Sequence, residues 1–179
     1  MQLKWAIVGT GRICEDFCQG LLTCDRHEHA IVAVSSREKS KAEGLIKKFQ
    51  LGQDVRTYGS QEEVFDDDQV DIVYIGTIEE YHRDLCVNAM KKNKHVLCEK
   101  PLAMNTKEVQ EIIDAAKATK KFMMEAIWSR FFPVYDHLRQ ALKEIGTVNY
   151  RIGSCICFSS FSLSGHVRRL YVQCSKIKY

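Results

Sequence analysis

A carboxylate, an amine and a proline stand together in "LCEKPLAMN" (97–105), where an apolar run of the sequence ends. The amine of Lys100 could donate a proton to a substrate oxygen or accept one from it, and Glu99 could position that amine. Pro101 would restrict the backbone of Lys100 to an extended geometry. These residue types predict a reaction centre with Lys100 as its catalytic group. The alternative is a surface lysine in front of a turn.

Two glycines follow the first apolar run of the chain, in "VGTGRIC" (8–14). Gly9 and Gly11 permit a tight turn and a close approach of the backbone to a pyrophosphate, which would lie on the N-terminus of the next helix. The dinucleotide fingerprint has Gly or Ala at its third position, where this sequence has Cys14. The spacing predicts a dinucleotide site, and the alternative is a glycine-rich turn without a ligand.

Hydroxyl and basic side chains, rather than a carboxylate, follow the second apolar run. Proteins that prefer NAD usually place Asp or Glu there to hold the ribose hydroxyls. This sequence has Ser36, Arg37 and Lys41 instead, which are suited to bind a 2′-phosphate. The alternative is an ordinary solvated helix start, although cations oppose the dipole at a helix N-terminus. The pattern therefore predicts NADP as the cofactor.

Short apolar segments alternate with helical ones along the chain, which predicts a parallel sheet covered by helices. The segment "VDIVYIG" is nearly all apolar, as a strand buried on both faces should be. The predicted fold class is α/β, a Rossmann-like doubly wound parallel sheet, followed by only the start of an α+β substrate domain. Strands are predicted over 4–9, 30–36, 55–59, 70–76, 95–99 and 121–127.

Capping residues and apolar periodicity indicate where the helices begin. Ser60 with Glu63 forms a capping box, which predicts a helix between the third and fourth strands. The other predicted helices follow the first two strands, cover 82–92, begin after Asn105 and run from Pro133 to Gly146.

Polar side chains follow the fourth and fifth predicted strands, at the points where those strands end. In a doubly wound sheet, ligands bind beyond the carboxyl ends of the strands. We therefore expect Tyr74, Thr77, His82, Glu99 and Lys100 to converge on the nicotinamide half of the cofactor.

Composition and charge argue against several classes of protein. The chain has 179 residues and a net charge of +3, but the tail from Gly153 onward holds four cations and no acid. The first 152 residues therefore sum to −1, which gives a nucleic-acid partner little support. No apolar run approaches the roughly 18 residues of a membrane span, and the N-terminus lacks a signal-peptide layout. We expect a cytoplasmic protein.

Five of the eight cysteines are interpreted as small buried or half-buried thiols, since disulfides are rare in the cytosol: Cys14, Cys18, Cys24, Cys86 and Cys98. Cys14 and Cys18 are four residues apart on a predicted helix, but no second Cys/His pair lies nearby at zinc spacing. No metal site is predicted.

The segments "GTGRI", "YIGT", "CEKP" and "EAIWSRFFP" together resemble the glucose–fructose oxidoreductase/inositol dehydrogenase (Gfo/Idh/MocA) family, from Leu3 to about Ile152. The resemblance implies a homodimeric, two-domain enzyme. Its second domain, an open sheet, forms the substrate wall and the dimer interface. It further implies an NADP-dependent oxidoreductase that oxidises trans-dihydrodiols of aromatic hydrocarbons, aldoses such as D-xylose, or both.

The resemblance also assigns roles to individual residues. Lys100 matches the catalytic lysine of the family, and Arg37 and Lys41 match basic residues that face the 2′-phosphate. Substrate-side candidates are Trp128, Arg130 and Phe131, for which the alternative is a hinge packed with aromatic rings. The full set of expected cofactor-binding residues is Gly9, Gly11, Arg12, Ile13, Ser36, Arg37, Lys41, Tyr74, Thr77, His82, Glu99 and Lys100.

The expected domains are an NADP-binding Rossmann domain over 1–125, the start of the substrate and dimerisation domain over 126–152, and an atypical tail over 153–179. A strand predicted over 147–152 would open the second domain. The family's D-x-G-x-Y motif, which supplies a second catalytic group, is absent from the sequence. The expected truncation leaves two alternatives: an oxidoreductase, with its activity as this chain alone left open, or a non-catalytic NADP-binding fragment or splice product with the dimer interface missing.

Overall fold

The strands of the sheet coincide with the short apolar segments of the sequence. The structure is a computed structural model that describes residues 2–145. Its strands are β1 (Leu3–Val8), β2 (His29–Ser35), β3 (Arg56–Tyr58), β4 (Ile72–Ile75), β5 (His95–Cys98) and β6 (Met123–Glu125). All strand pairs are parallel, and the order across the sheet is β3-β2-β1-β4-β5-β6. This order confirms the predicted Rossmann-like, doubly wound fold, whose ligand crevice lies where β1 meets β4.

Helices cover both faces of the sheet. Side chains alternate along β1, so that Trp5 and Ile7 pack with the first two helices, while Ala6 and Val8 pack with the next two. Each face therefore has its own apolar core. The α-helices of the described residues are α1 (Arg12–Leu21), α2 (Lys39–Phe49), α3 (His82–Lys91), α4 (Thr106–Thr119) and α5 (Pro133–Ile145).

The predicted cap of α4 is confirmed. The Oδ1 atom of Asn105 accepts a hydrogen bond from the backbone N–H of Glu108 at 3.0 Å. The carboxylate of Glu108 in turn accepts from the backbone N–H of Met104 at 3.1 Å. Two backbone donors near the helix start are thereby satisfied, which fixes where the chain leaves the segment around Lys100.

The helix predicted from Ser60 and Glu63 is wrong. The chain forms only a four-residue 3₁₀ turn, Glu63–Asp66, and the hydroxyl of Ser60 accepts from Glu62 rather than from Glu63. The physical reason lies just beyond the turn, where the carboxylate of Asp67 accepts hydrogen bonds from Arg56 at 2.6 Å and from Tyr58 at 2.8 Å. These bonds to β3 hold Asp67 in an extended conformation and end the helical turn.

The predicted helix that begins at Pro133 is present as α5, but its apolar side is uncovered. Val134 is 61% exposed and Leu138 is 46% exposed.

No helix between residues 2 and 145 is both long and apolar enough to cross a membrane. The stop at Gly146, the strand over 147–152 and the tail over 153–179 lie outside the described residues.

Candidate dinucleotide-binding site

The turn between β1 and α1 requires glycine at its first position. Gly9 has a φ of +110°, and an added Cβ would lie 2.9 Å from the carbonyl oxygen of Gly76 and 3.2 Å from the sulfur of Cys14. The N–H of Gly9 donates to the carbonyl of Ser35 at 2.9 Å, and the N–H of Gly76 donates to Val8 at 3.0 Å. The turn is thus fixed between β2 and β4, and a side chain has no room there.

Gly11 leaves the N-terminus of α1 open. It is the N-cap residue, no side chain caps the helix, and an added Cβ would meet nothing within 4 Å. The unpaired N–H groups and the dipole of a helix start attract an anion. The open space beside Gly11 would be filled by any larger residue, so this turn fits the pyrophosphate of a dinucleotide.

Cys14 replaces the third small residue of the fingerprint without blocking the turn. Its thiol donates to the carbonyl oxygen of Gly76 at 3.3 Å. Burial raises the pKa of Cys14 to about 12, so the group stays a neutral thiol. A Cβ on Gly76 would overlap the sulfur of Cys14, so the larger side chain is accommodated by the glycine that directly follows β4.

A cavity of about 530 Å³ lies at the carboxyl ends of β1 and β4. It brings together many of the residues expected from the sequence and several that sequence reasoning missed. Arg12, which was also expected there, is exposed and is not part of the cavity lining. The expected residues in the lining are Gly9, Gly11, Ile13, Ser36, Arg37, Lys41 and Thr77. The missed residues are Thr10, Glu38, Gln61, Gly76, Ile78 and Tyr81.

The rim beside β2 carries mixed charge, which the sequence pattern did not indicate. The ammonium of Lys41 pairs with the carboxylate of Glu38 at 2.7 Å. The guanidinium of Arg37 instead lies over the ring of Tyr81, 5.7 Å from its centroid. Ser36 is buried, and its hydroxyl lies 3.4 Å from that of Thr10. Of the two basic residues on this rim, Lys41 therefore pairs with a carboxylate and Arg37 contacts an aromatic ring.

Glu99 lies against the backbone of Lys100, next to β5. Its Oε2 atom accepts from the N–H of Lys100 at 3.2 Å, and its Oε1 atom accepts from the hydroxyl of Tyr74 at 2.8 Å. Burial raises the pKa of Glu99, and these two hydrogen bonds oppose the rise. Glu99 thus positions Lys100 through the main chain, while the Lys100 side chain itself is exposed rather than buried.

Tyr74 and His82 are buried beneath the site and do not line the cavity. The ring of Tyr74 stacks on Phe17, with centroids 3.5 Å apart and planes 9° apart. The ring nitrogens of His82 lie 2.9 Å from the carbonyl oxygen of Pro101 and 3.1 Å from that of Thr77. His82 therefore ties the loop after β4 to the loop after β5. The contacts of both side chains are therefore with residues of the protein around the cavity.

The substrate-side candidates lie away from the cavity. Trp128 and Phe131 are half-buried and pack against the core on the α1 side of the sheet. The ring of Trp128 meets Phe132 edge-on at 5.2 Å, and Arg130 is exposed. The aromatic rings of this segment are therefore packed, while the substrate-side role of the three residues stays a prediction. Within residues 2–145, no cluster of three or more His, Cys, Asp or Glu side chains could hold a metal ion.

Comparison with known proteins agrees with this geometry. Residues 3–127 match the model of the Gfo/Idh/MocA family, described as an oxidoreductase family with an NAD-binding Rossmann fold. The chain belongs to this family. Its sheet, its glycine turn and its open helix N-terminus are those of an NAD(P)-binding Rossmann fold, which is the fold named in the description of the family.

Relatives with curated names are dehydrogenases. The chain is 44% identical over 152 residues to trans-1,2-dihydrobenzene-1,2-diol dehydrogenase of Xenopus laevis, covering 84% of this chain and 45% of that protein. It is 40% identical over 144 residues to the protein of the same name from Homo sapiens, covering 80% and 42%. The chain therefore spans less than half the length of these relatives.

Solved structures share the fold. A myo-inositol dehydrogenase from Lactobacillus casei, in complex with NAD(H) and myo-inositol, aligns with a TM-score of 0.73 at 22% identity. A 3-ketoreductase from Actinomadura kijaniata, in complex with NADP, aligns with a TM-score of 0.70 at 22% identity. Each alignment covers 80% of this chain, and 42% and 44% of the respective structures.

Proposed function

We propose that this chain binds NADP and supplies the cofactor half of a dehydrogenase for trans-dihydrodiols of aromatic hydrocarbons, for aldoses such as D-xylose, or for both. The observation that carries the proposal is the cavity at the β1/β4 crevice. It joins a helix N-terminus without a side-chain cap to a rim where Arg37 forms no ion pair with any residue from 2 to 145. The dihydrodiol dehydrogenase relatives support the substrate class.

NADP is favoured over NAD by the end of β2. Ser35 and Ser36 stand where an NAD-preferring protein places a carboxylate. Glu38 does line the cavity, but its charge is offset by Lys41 at 2.7 Å. Arg37 remains as a planar donor of several N–H groups, which suits the oxygens of a 2′-phosphate.

Lys100 would handle the proton of the reaction. NADP, when bound, supplies the acceptor for the hydride that leaves the carbinol carbon. The hydroxyl proton of the same substrate group passes to the amine of Lys100, and the carbon–oxygen bond becomes a carbonyl. Glu99 holds the backbone of Lys100, and Tyr74 holds Glu99, so the amine starts from a fixed main-chain position.

A second candidate function is NADP binding without turnover. The exposed apolar side chains of α5, Val134 and Leu138, favour it. We propose a Rossmann domain over 1–125, the beginning of a substrate and dimerisation domain over 126–152, and a tail over 153–179 outside the family fold. The two candidates differ in whether a dihydrodiol or D-xylose causes NADPH to form. NADPH formation by the purified chain supports the enzyme, and binding without turnover supports the fragment.

The nucleotide assignment is tested with one variant and a matched control. Arg37→Asp should weaken NADPH binding by about tenfold or more, because a charge-assisted phosphate contact is lost and a repulsive charge is introduced. NADH binding should change little. Lys39→Asp makes the same charge change at an exposed residue outside the cavity lining and should leave both affinities near those of the original chain. Equal losses of NADPH and NADH with Arg37→Asp would contradict the NADP assignment.

A further inference from the structure

Two side chains from different elements meet at the rim of the nucleotide cavity. Arg37 follows β2, and Tyr81 ends the 3₁₀ turn that leads into α3. The guanidinium carbon of Arg37 lies over the Tyr81 ring, 5.7 Å from its centroid. Both residues line the 530 Å³ cavity and also an adjoining cavity of about 380 Å³. The Arg37–Tyr81 pair is therefore shared by the linings of the two cavities.

The guanidinium of Arg37 contacts an aromatic ring and, within residues 2–145, no carboxylate. Within residues 2–145, Arg37 forms no ion pair, and the neighbouring Glu38 pairs with Lys41 instead. An aromatic ring attracts the face of a guanidinium and leaves the N–H donors on its edge available. A carboxylate partner would occupy those donors. Stacking on Tyr81 thus limits the motion of Arg37 while its donors stay open to an anion.

We propose that Tyr81 is a positioning residue that sets the preference for NADP over NAD by holding Arg37 where the 2′-phosphate binds. This inference rests on the proposed function, because it needs a nucleotide in the cavity. An arginine that is already ordered loses less conformational freedom when it binds phosphate. NAD has a hydroxyl in place of the 2′-phosphate, so its binding gains little from an ordered guanidinium.

Tyr81 can be replaced without opening the core. It is 37% exposed and belongs to neither apolar core of the sheet. Tyr81→Leu and Tyr81→Gln remove the aromatic ring, whereas Tyr81→Phe keeps the ring and removes only the hydroxyl. These three variants separate stacking from hydrogen bonding.

The experiment titrates the full chain and each variant with NADPH, NADH, adenosine 2′,5′-bisphosphate and adenosine 5′-monophosphate, by calorimetry. Tyr81→Leu and Tyr81→Gln should weaken NADPH and the bisphosphate by about two- to fivefold, the range of an exposed cation–π contact. NADH and the monophosphate should be unchanged. Tyr81→Phe should behave as the original chain. In an Arg37→Gln background, Tyr81→Leu should have no further effect on NADPH.

Each other result overturns the inference in a distinguishable way. Equal losses of NADPH and NADH would make Tyr81 a general adenosine contact. A loss with Tyr81→Phe would assign the effect to the hydroxyl. Unchanged NADPH binding in Tyr81→Leu and Tyr81→Gln would remove Tyr81 from selectivity but leave the proposed function standing. An original chain that binds neither dinucleotide would overturn both.

Discussion

Replacing Gly9 tests whether a glycine is required there by the backbone conformation of the turn or by a bound nucleotide. In Gly9→Ala, the backbone φ of +110° costs about 1–3 kcal/mol for a residue with a Cβ. The new methyl also lies 2.9 Å from the carbonyl oxygen of Gly76, which cannot retreat easily because the Gly76 N–H is bonded to Val8. We expect a total loss of about 2–4 kcal/mol in the free energy of unfolding.

Gly11→Ala makes the same chemical change two residues later. It should leave the stability nearly unchanged and weaken nucleotide binding instead. Gly11 has a φ of −73°, and its added Cβ meets no atom within 4 Å. Stability should therefore fall by about 1 kcal/mol or less, the range for an N-cap replacement. The methyl would stand where the pyrophosphate approaches α1, so NADPH affinity should fall by about tenfold or more.

Urea unfolding followed by circular dichroism gives the stability of each variant, and an NADPH titration under native conditions gives its affinity. Equal stability of the two variants would refute the steric reasoning for Gly9. Unchanged NADPH binding by Gly11→Ala would refute the placement of the pyrophosphate on α1. The two conclusions are independent, because each depends on a different variant and a different measurement.

Glu38→Gln should release Lys41 and tighten NADPH binding by about two- to fivefold, the size of an exposed ion pair, while NADH changes little in the same titration. Tyr74→Phe should lower the urea-unfolding free energy by about 1–3 kcal/mol near pH 8 and by less near pH 4, because ionised Glu99 loses a buried donor. Burial lowers the pKa of His95, whose Nδ1 accepts a backbone N–H, so stability should fall as pH drops below 6.5. A His95→Gln variant should lose less stability between pH 7.5 and pH 5.5.

The pH dependence of the Glu99 contribution to stability follows from the direction of the pKa shift of Glu99. The folded-state pKa of Glu99 is raised, so folding favours the protonated form, and its contribution weakens as pH rises above the ordinary value of 4.5. Removing the Tyr74 hydroxyl raises that pKa further, which steepens the loss at high pH. A Tyr74→Phe penalty that is equal at both pH values would contradict this reasoning. For Glu38→Gln, weaker NADPH binding would contradict the release of Lys41.

The sheet and the phosphate turn could be predicted from the sequence because both depend on local patterns. A short, nearly all-apolar run rich in β-branched residues indicates a strand buried on two faces, as β4 is. Gly9 and Gly11 follow β1 directly, so their position at the crevice follows from chain order alone. The cap at Asn105 was predictable for the same reason, since donor and acceptor are three residues apart.

The parts that escaped prediction depend on contacts between distant segments. Ser60 has the local signature of a helix start, but Asp67 bonds to β3 and ends the turn. The Arg37–Tyr81 stack joins residues 44 positions apart, and no periodicity relates them. The one available signal for Tyr81 was its place in the loop after β4, which a doubly wound sheet brings to the cavity.

The hydrogen bonds of Glu99 explain why a carboxylate precedes Lys100 in "CEKP". Two donors converge on Glu99, the Tyr74 hydroxyl at 2.8 Å and the Lys100 N–H at 3.2 Å, and each uses a different carboxylate oxygen. A glutamine in the same position would turn its NH2 group, which is a donor, toward one of these two donors. Because Tyr74 stacks on Phe17 of α1, the same contacts connect the helix at the phosphate turn to the backbone of Lys100. A continuous series of contacts therefore runs from α1 through Tyr74 and Glu99 to the backbone of Lys100.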